Sequence, residues 1–390
     1  MDQPKQIALI FLSQVFNNAD IIKGIASYER IHCDWNFYLD DQAIAIEDPA
    51  WLFREKFDGL ICRHAKMGSS RLLQECIKRG IPCVSLDVFD EGATEVPSVT
   101  ADDYAIGKTG GEYFLSRGYQ NFAYCGFKGQ AWARLRKAGF RDILNQAQFS
   151  VAETECELPL KSTPAWDFSE TRQLIAWIKA LPKPVAIMAS NDLRALQAVG
   201  AARKAGLLIP EEVAVLGSGN DSVRTEVSHP PLSSVSLNTD KWGYKAAEAL
   251  HRLMEGKSVD KTVLIEPREI VVRRSTDAVA IEDDTLAKAF RIIKEEKSAA
   301  LTVEDLAKRV GLSRSLLERR FRKYTRKSPQ EAIRLERINQ TKDFLLSTEK
   351  TLAEIAETLG FTHPEYLSVM FKRLTGETAR SFRTRHRKLS

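Results

Sequence analysis

The sequence has few residues that form covalent or metal cross-links. It contains 6 cysteines and 6 histidines in 390 residues, with no Cys-x-x-Cys pair and no histidines at metal-ligand spacing. Most of the cysteines lie in apolar surroundings, so we expect buried, reduced thiols rather than disulfides or metal ligands. The cysteines are Cys33, Cys62, Cys76, Cys83, Cys125 and Cys156.

Long apolar runs are also missing. No segment reaches the ~18 apolar residues of a membrane-spanning helix, and Met1–Gln6 leads straight into the strand-like Ile7–Leu12 without a signal peptide. We therefore expect a cytoplasmic protein that is neither secreted nor membrane-spanning. The sequence has no Gly-rich phosphate loop and no nucleophile elbow, so an enzyme is only a remote alternative and no cofactor is expected.

The composition is that of a folded chain with an uneven charge distribution. Charged residues make up 28% and hydrophobic residues 44%, and a length of 390 residues predicts two or three domains. Leu301–Ser390 holds 20 Lys/Arg against 11 Asp/Glu, a net charge of +9. The whole chain carries +5, which leaves −4 for the first 300 residues. A basic tail on a mildly acidic body indicates a polyanionic partner for the tail.

Short apolar runs alternate with helical periodicity up to about Ser275. This alternation predicts an α/β region with parallel sheets covered by helices, divided into two lobes because of its length. The acidic stretch Asp277–Asp284 is typical of a linker, and the rest has only helical periodicity. We therefore predict a two-lobed α/β domain over 1–276, a linker over 277–285 and an all-α domain over 286–390. The apolar runs are Ile7–Leu12, Phe37–Leu39, Gly59–Cys62, Cys83–Leu86, Phe122–Cys125, Val185–Ala189, Val213–Leu216 and Val235–Leu237.

The basic tail contains an internal repeat. Leu306–Ser313 aligns with Ile355–Thr362 at an offset of 49, and Phe321 then aligns with Phe371 at an offset of 50. Each copy has an apolar helix, a Gly at a sharp turn, a Ser or Thr that can cap the next helix, and a second helix ending on Phe and basic residues. This is the helix-turn-helix pattern.

These residues resemble the AraC family of transcription regulators from Leu286 to about Arg387. The resemblance includes Pro329 with Arg337-Ile338 and Phe344-Leu345 after it, and the closing Gly360-Phe361 and Phe371-Lys372. It implies that one chain presents two recognition helices to successive major grooves of double-stranded operator DNA. A helical protein-interaction domain is the alternative for the tail as a whole.

The resemblance also implies which side chains face DNA. Arg319 could bind guanine and Glu318 could accept from cytosine, whereas the basic residues that follow are expected at phosphates. Val369 departs from the family pattern, because relatives often have Arg there, so the second helix is expected to read fewer bases or a thymine methyl. For any single Arg, a solvated helix face is the alternative. The implied DNA contacts are Arg314, Ser315, Glu318, Arg319, Arg322, Lys323, Arg326, Lys327, Thr362, His363, Glu365 and Lys372.

Four segments of the first 276 residues, in order and spacing, resemble the effector domain of LacI/GalR regulators. They are Val99–Gly107, Arg136–Phe140, Ser190–Leu196 and Glu266–Thr276. The resemblance runs from about Gln6 to Thr276 and implies the periplasmic sugar-binding-protein fold, a small-molecule sugar effector and a homodimer. The amino-terminal helix-turn-helix of that family is not in this sequence, so the reading of DNA is expected at the other end.

A sugar site needs paired hydrogen-bonding groups on loops at the carboxyl ends of strands, and an aromatic face for the apolar side of the ring. Asp192 and Asp102 could instead only cap helices, Arg136 could pair with a surface carboxylate, and Trp132 could be ordinary core. The candidate ligand-binding residues, chosen by position, are Phe16, Asn17, Asp87, Asp102, Trp132, Arg136, Asp192, Asn220 and Asp221.

The two resemblances together imply a sugar-responsive regulator, with D-xylose as the favoured effector and activation, through RNA polymerase, as the expected sign. The Trp132–Arg136 segment and Arg273–Asp277 support a resemblance to regulators that respond to this pentose. Gly219 does not, because relatives of the sensor usually have Asp there. Another sugar, a sugar phosphate or a nucleobase therefore remains an alternative. A transport binding protein is disfavoured by the basic tail.

Overall fold

The computed structural model describes residues 3–11, 17–41, 49–63, 68–86, 96–158, 168–277, 283–296, 301–325, 328–361 and 363–387. Two compact units make up the chain, Met1–Asp277 and Ala278–Ser390. Among the helices of these ranges, none is long and apolar enough to cross a membrane. The predicted Phe16, Asp87, Arg326, Lys327 and Thr362 lie outside the described residues.

The first lobe of the amino-terminal unit is built on a six-stranded parallel sheet with the order β11-β5-β4-β3-β1-β2. Its middle strands β1 and β3 are almost wholly apolar, as expected for strands covered on both faces, and most of their side chains are buried. The strands are β1 (Lys5–Phe11), β2 (Trp35–Asp40), β3 (Gly59–Arg63), β4 (Cys83–Ser85), β5 (Ser98–Ala101) and β11 (Thr262–Ile265).

The second lobe has its own six-stranded sheet with the order β12-β10-β9-β8-β6-β7. All neighbours are parallel except the short edge strand β12, which is antiparallel to β10. The chain passes between the lobes three times, after β5, after β10 and after β11. The strands are β6 (Asn121–Phe127), β7 (Val151–Cys156), β8 (Val185–Ala189), β9 (Val213–Gly219), β10 (Ser233–Ser236) and β12 (Ile270–Val271).

Helices cover both sheets. In the first lobe α1 packs against α9, and α9 also lies on β3, β4 and β5; in the second lobe α4 packs against α5. The helices are α1 (Asn18–His32), α2 (Pro49–Leu52), α3 (Gly68–Lys78), α4 (Asp103–Ser116), α5 (Ala131–Gln146), α6 (Phe168–Ala180), α7 (Asp192–Lys204), α8 (Ser222–Val227) and α9 (Thr239–Met254).

The carboxy-terminal unit is helical throughout its described residues and has two apolar clusters. One is centred on Leu306 and Phe321, the other on Ile355 and Phe371, and the long α13 contributes to both. The helices are α10 (Asp284–Glu295), α11 (Val303–Val310), α12 (Arg314–Thr325), α13 (Pro329–Ser347), α14 (Leu352–Thr358), α15 (Pro364–Thr375) and α16 (Ala379–Arg387).

The predicted fold class, a two-lobed α/β region with parallel sheets and an all-α tail, is confirmed. Each predicted apolar run coincides with a strand to within about three residues at its described ends, whereas β5, β7, β11 and β12 were not predicted. All six cysteines are free thiols; Cys33 and Cys156 are half-buried and the others buried.

Candidate functional site

Asp192 lies at the carboxyl edge of the second-lobe sheet, directly after β8. It does not cap α7, because Asn191 does so by accepting a hydrogen bond from the backbone N–H of Arg194 at 2.9 Å. The Asp192 carboxylate is therefore available for other donors, and the helix-cap alternative is wrong. Its Oδ2 accepts from the backbone N–H of Asp221 at 2.7 Å, and its Oδ1 from the Ser234 hydroxyl at 2.6 Å.

The surroundings of Asp192 determine its pKa and its capacity to accept hydrogen bonds from a ligand. The residue is 2% exposed, and burial raises the pKa of Asp192 to about 6, against the lowering effect of Ser234 and the Asp221 N–H. A carboxylate offers about four lone-pair positions, and two donors among the described residues reach that of Asp192. Its other lone pairs can accept hydrogen bonds from a ligand that enters beside it.

Two glycines at the end of β9 make room for this carboxylate. A Cβ on Gly217 would lie 2.2 Å from Asp192 Oδ1, and a Cβ on Gly219 would lie 3.0 Å from Oδ2, at a φ of +129° that side chains rarely adopt. The Gly219 carbonyl accepts from the Asn17 amide at 3.1 Å. Gly219 therefore suits this arrangement of Asp192, and an Asp at 219 would be crowded and strained.

Arg136, on α5, lies at the same carboxyl edge of the second-lobe sheet as Asp192 and is 7% exposed. Its Nε donates to Asp103 Oδ1 and its Nη2 pairs with the same oxygen, both at 2.8 Å. Nη1 donates to the Ser190 carbonyl at 2.7 Å and to the Ser218 hydroxyl at 3.0 Å. The expected alternative, a surface ion pair, is wrong because Asp103 is itself buried. Desolvation raises the pKa of Asp103, against the lowering effect of Arg136.

The half-buried Trp132 lies beside this ion pair, with its ring centroid 5.1 Å from the Arg136 guanidinium carbon. It is therefore neither fully buried core nor fully exposed. A half-buried indole next to a buried arginine can cover the apolar face of a small ring.

Asn220 and Asp221 follow β9, and their side chains are already engaged. Asn220 has a φ of +52°; its N–H donates to the Ser234 hydroxyl at 2.9 Å, and its Oδ1 accepts from Arg273 Nη1 at 3.0 Å. Asp221 caps α8 and forms an ion pair with Arg224 at 2.8 Å. Asp221 thus reaches Asp192 through its backbone N–H, whereas its carboxylate is occupied.

The first lobe contributes side chains that face the Asp192 edge of the second lobe. Asn17 donates to the Gly219 carbonyl of the second lobe, and Asp102 caps α4 by accepting from the Ala105 N–H at 2.8 Å. The cap expected as the alternative for Asp102 is thus present. At the end of β3, Arg63 donates to Asn18 Oδ1 at 2.8 Å and lies 4.7 Å above the Trp242 ring.

The structure brings together Asn17, Arg136, Asp192 and Asn220 of the predicted set at facing sheet edges. Asp192 and Asn220 share the Ser234 hydroxyl, Asn17 binds the neighbouring Gly219 carbonyl, and the Arg136 charge acts on Asp192 from its separate pair with Asp103. Asp103, Ser234, Arg273 and Arg63 were not predicted, although Asp103 and Arg273 lie in the segments that carry the sensor resemblance. One signal for Asp103 was available: two adjacent carboxylates follow β5, and only one of them can be the N-cap of the next helix.

The carboxy-terminal unit contains two helix-turn-helix units. Gly311 and Gly360 have φ values of +73° and +74° after α11 and α14, as the repeat predicted. Ser313 accepts from the Leu316 N–H at 3.3 Å at the start of α12. Three helices of this unit, α11, α13 and α14, begin with a capping box. These boxes pair Thr302 with Asp305, Ser328 with Glu331, and Thr351 with Glu354.

The predicted DNA-facing residues of α12 lie on its outer face. Arg314, Ser315, Arg319, Arg322 and Lys323 are exposed, and Glu318 is partly so. Arg314 is held by Glu318, 3.0 Å from its Nε, and by Glu304. In the part of the chain that the structure describes, no carboxylate pairs with Arg319, which leaves its guanidinium available for an outside acceptor.

The second outer helix, α15, begins one residue later than the first alignment offset implied. Its N-cap is His363, which makes no side-chain cap hydrogen bond, and Pro364 is its first residue. The extra residue of the second turn therefore precedes the helix, and from there the two outer helices match at an offset of 50. His363, Glu365 and Lys372 are exposed, as expected.

Comparisons with known proteins match a different domain family in each of the two units of the chain. Residues 112–276 match the periplasmic binding protein-like domain family, and residues 306–385 match a helix-turn-helix domain family. The xylose operon regulatory protein of Haemophilus influenzae is 27% identical over 391 residues, which cover 98% of this chain and 99% of that protein.

Solved structures show the same fold. One described as the xylose-binding transcription activator XylR superposes with a TM-score of 0.76 at 23% identity, covering 98% of each chain. A dimeric lac repressor with an 11-residue C-terminal deletion superposes with a TM-score of 0.57 at 22% identity, covering 70% of this chain and 98% of its own.

Both resemblances predicted from the sequence, an AraC-type tail and a LacI/GalR-like sensor, are confirmed. The match to a xylose operon regulatory protein extends over nearly the full length of both chains, and the two matched domains follow one another in the same chain. The protein is therefore a transcription regulator in which a periplasmic-binding-protein-like domain precedes a helix-turn-helix DNA-binding domain.

Proposed function

We propose that this protein is a sugar-responsive activator of a pentose operon, with D-xylose as its effector and no enzymatic activity. The name of its full-length relative supports the sugar, and that relative is a regulator rather than an enzyme. A protein with this task acts in the cytoplasm, where the operator DNA is. The name of the XylR structure supports activation, which requires RNA polymerase as a further partner.

The observation that carries the proposal is the buried Asp192 carboxylate at the edge where both lobes meet, since the described residues supply donors for only two of its about four lone pairs. Vicinal sugar hydroxyls donate to such a carboxylate and accept from the remaining N–H groups of Arg136 and Asn17. Trp132 supplies a face for the C–H side of the ring. A small, neutral, hydroxyl-rich ligand matches this set of groups.

The same geometry disfavours a phosphorylated effector. Arg136 is paired with Asp103, and Arg273 donates to Asn220 and to the Leu232 carbonyl near the Asp192 charge. Each of these two arginines is thus already engaged beside a carboxylate, and a phosphate group would have to compete with it. A nucleobase remains the second candidate, because Trp132 could stack on it.

The hydrogen bond from Asn17 to the Gly219 carbonyl supports a coupling mechanism. It joins the two lobes directly, so a ligand that bridges Asp192 and Asn17 favours the closed arrangement of the lobes. In a homodimer, closure would move the surface through which the subunits associate and thereby the spacing of four helix-turn-helix units on the operator.

A thermal-shift panel on the full-length protein tests the effector. The compounds are D-xylose, L-arabinose, D-ribose, glucose, hypoxanthine and a sugar phosphate. D-xylose at 100 times its dissociation constant is expected to stabilise the protein by about 2.7 kcal/mol. A shift with another compound alone would identify that compound as the effector instead of D-xylose. No shift with any compound would contradict the proposed sensor function.

A substitution on the DNA side tests the outer face of α12. Arg319→Ala is expected to weaken operator binding by about 2 kcal/mol and to relax the preference at one base pair, because a bidentate contact to guanine is lost. The measurement is fluorescence anisotropy with operator variants at fixed salt. Arg322→Ala is the matched control, expected to weaken binding to all sequences alike. An equal loss on random DNA for Arg319→Ala would make it a phosphate contact.

A further inference from the structure

The outer face of α15 is apolar at its centre. Val369 is 68% exposed and Tyr366 is 51% exposed, one helical turn apart on the same face. The opposite face of α15 is buried in the apolar cluster of the second helix-turn-helix unit through Leu367, Met370 and Phe371. Packing inside the unit therefore does not explain the presence of an apolar residue at position 369.

The two outer helices differ in charge at this position. At the offset of 50 that relates α12 to α15, Val369 corresponds to Arg319, a cation of α12 that no described carboxylate holds. Lys372 and Arg373 correspond to Arg322 and Lys323, so two basic residues follow at the same places in both helices. The two units thus share their expected phosphate contacts and differ in the side chain at the centre of the DNA-facing surface.

An aliphatic side chain can recognise only one feature of the major-groove floor. Guanine, adenine and cytosine present hydrogen-bonding groups there, and thymine alone adds a methyl group at C5. The exposed Lys372 and Arg373 on the same helix supply positive charge beside the apolar patch, which suits phosphates on either side of a groove. The chemistry of the surface therefore fits duplex DNA better than an uncharged apolar partner.

We propose that the second helix-turn-helix unit selects thymine through contact of its C5-methyl group with Val369, flanked by Tyr366, whereas the first unit selects through Arg319. This inference rests on the proposed function of the tail as the reader of operator DNA. It makes Val369 a specificity-determining residue and gives each half of the binding site a different kind of recognition.

Deoxyuridine replacement tests the proposal, because deoxyuridine lacks only the C5-methyl group of thymine. The probe is a duplex selected by the full-length protein from a random-sequence pool, with each thymine replaced singly by deoxyuridine. Affinity is expected to fall about fourfold at one or two positions in the half bound by the second unit, from about 0.8 kcal/mol for one buried methyl group. With Val369→Ala, these positions are expected to lose their sensitivity.

Two further variants separate recognition from folding. Arg319→Ala is expected to keep the sensitivity to deoxyuridine, because it alters only the first unit. Val369→Arg is expected to change the selected base at the same position from thymine to guanine. Since Val369 is exposed, both Val369 variants are expected to melt at the wild-type temperature, which circular dichroism checks.

The outcomes distinguish this inference from the function on which it rests. If the wild-type protein selects a sequence but no deoxyuridine replacement alters its affinity, methyl recognition is overturned and DNA reading stands. If no sequence is selected, the proposed DNA function fails as well. If Val369→Ala keeps the wild-type deoxyuridine profile but abolishes activation in a reporter assay, the patch binds a protein and the proposal is wrong.

Discussion

Replacement of Arg136 by methionine is expected to lower the free energy of unfolding by about 3–5 kcal/mol. The substitution keeps most of the side-chain volume but leaves the Asp103 carboxylate, 3% exposed, without its charged partner. The Ser190 carbonyl and the Ser218 hydroxyl also lose a donor. Urea denaturation of the ligand-free protein at pH 7 measures the loss.

A double variant provides the matched control. In Arg136→Met with Asp103→Asn no buried charge remains unpaired, so most of the lost stability is expected to return. If the double variant were as unstable as Arg136→Met alone, the loss would come from packing around Trp132 rather than from the orphaned carboxylate. A loss below about 1 kcal/mol for the single variant would mean that solvent reaches Asp103.

Replacement of Asp192 by asparagine is expected to weaken D-xylose binding about 100-fold, or about 3 kcal/mol. The variant loses charged acceptors for ligand hydroxyls, each hydrogen bond to which contributes about 1.5–3 kcal/mol. Its side-chain oxygen can still accept from the Asp221 N–H, and its amide can donate to the Ser234 hydroxyl, so its contacts with the chain are kept. Isothermal titration calorimetry measures the affinity. An unchanged dissociation constant would remove Asp192 from the ligand site.

The pH dependence of the wild-type protein tests the same carboxylate without a mutation. Burial raises the pKa of Asp192 to about 6, and sugar hydroxyls donate to the ionised form. Below pH 6 binding must therefore release a proton, and the affinity is expected to fall about tenfold between pH 7 and pH 5. Asp192→Asn is expected to show no such fall.

The free energy of unfolding of the ligand-free protein is expected to change with pH in the opposite direction to the affinity, because it decreases as the pH rises. A carboxyl whose pKa is raised by folding stabilises the fold when it is protonated. This contribution is therefore fully present at pH values below the pKa of the unfolded chain and is lost as the pH rises through about 6. Replacement by asparagine is thus not expected to destabilise the ligand-free protein at pH 7, which separates a binding defect from a folding defect.

Much of the fold could be predicted because its central strands are apolar on both faces. Val185–Ala189 is wholly buried and coincides with β8. The strands that were missed carry a weaker signal: β7 mixes Glu and Thr with apolar residues at the sheet edge, and β12 has two residues. β5 has a Ser and a Thr whose burial depends on neighbouring strands rather than on their own polarity.

The residues of the candidate site were predictable by position, but their pairing was not. The end of β8 and the start of α5 suggested Asp192 and Arg136, yet the sequence could not tell which member of Asn191-Asp192 or Asp102-Asp103 caps a helix. Each member of such a pair can accept a backbone N–H. The structure decides through burial: in both pairs the second residue is the inner one, and it binds groups distant in sequence.

The three passages of the chain between the lobes constrain the order in which the lobes can form during synthesis. The first lobe is completed only by α9 and β11, which begin about 230 and about 250 residues after the end of β1. All of the second lobe except the short edge strand β12 comes from one continuous stretch. Until α9 has emerged from the ribosome, β3, β4 and β5 lack the helix that packs on them. The nascent first lobe therefore keeps apolar surface exposed until segments are translated that follow most of the second lobe.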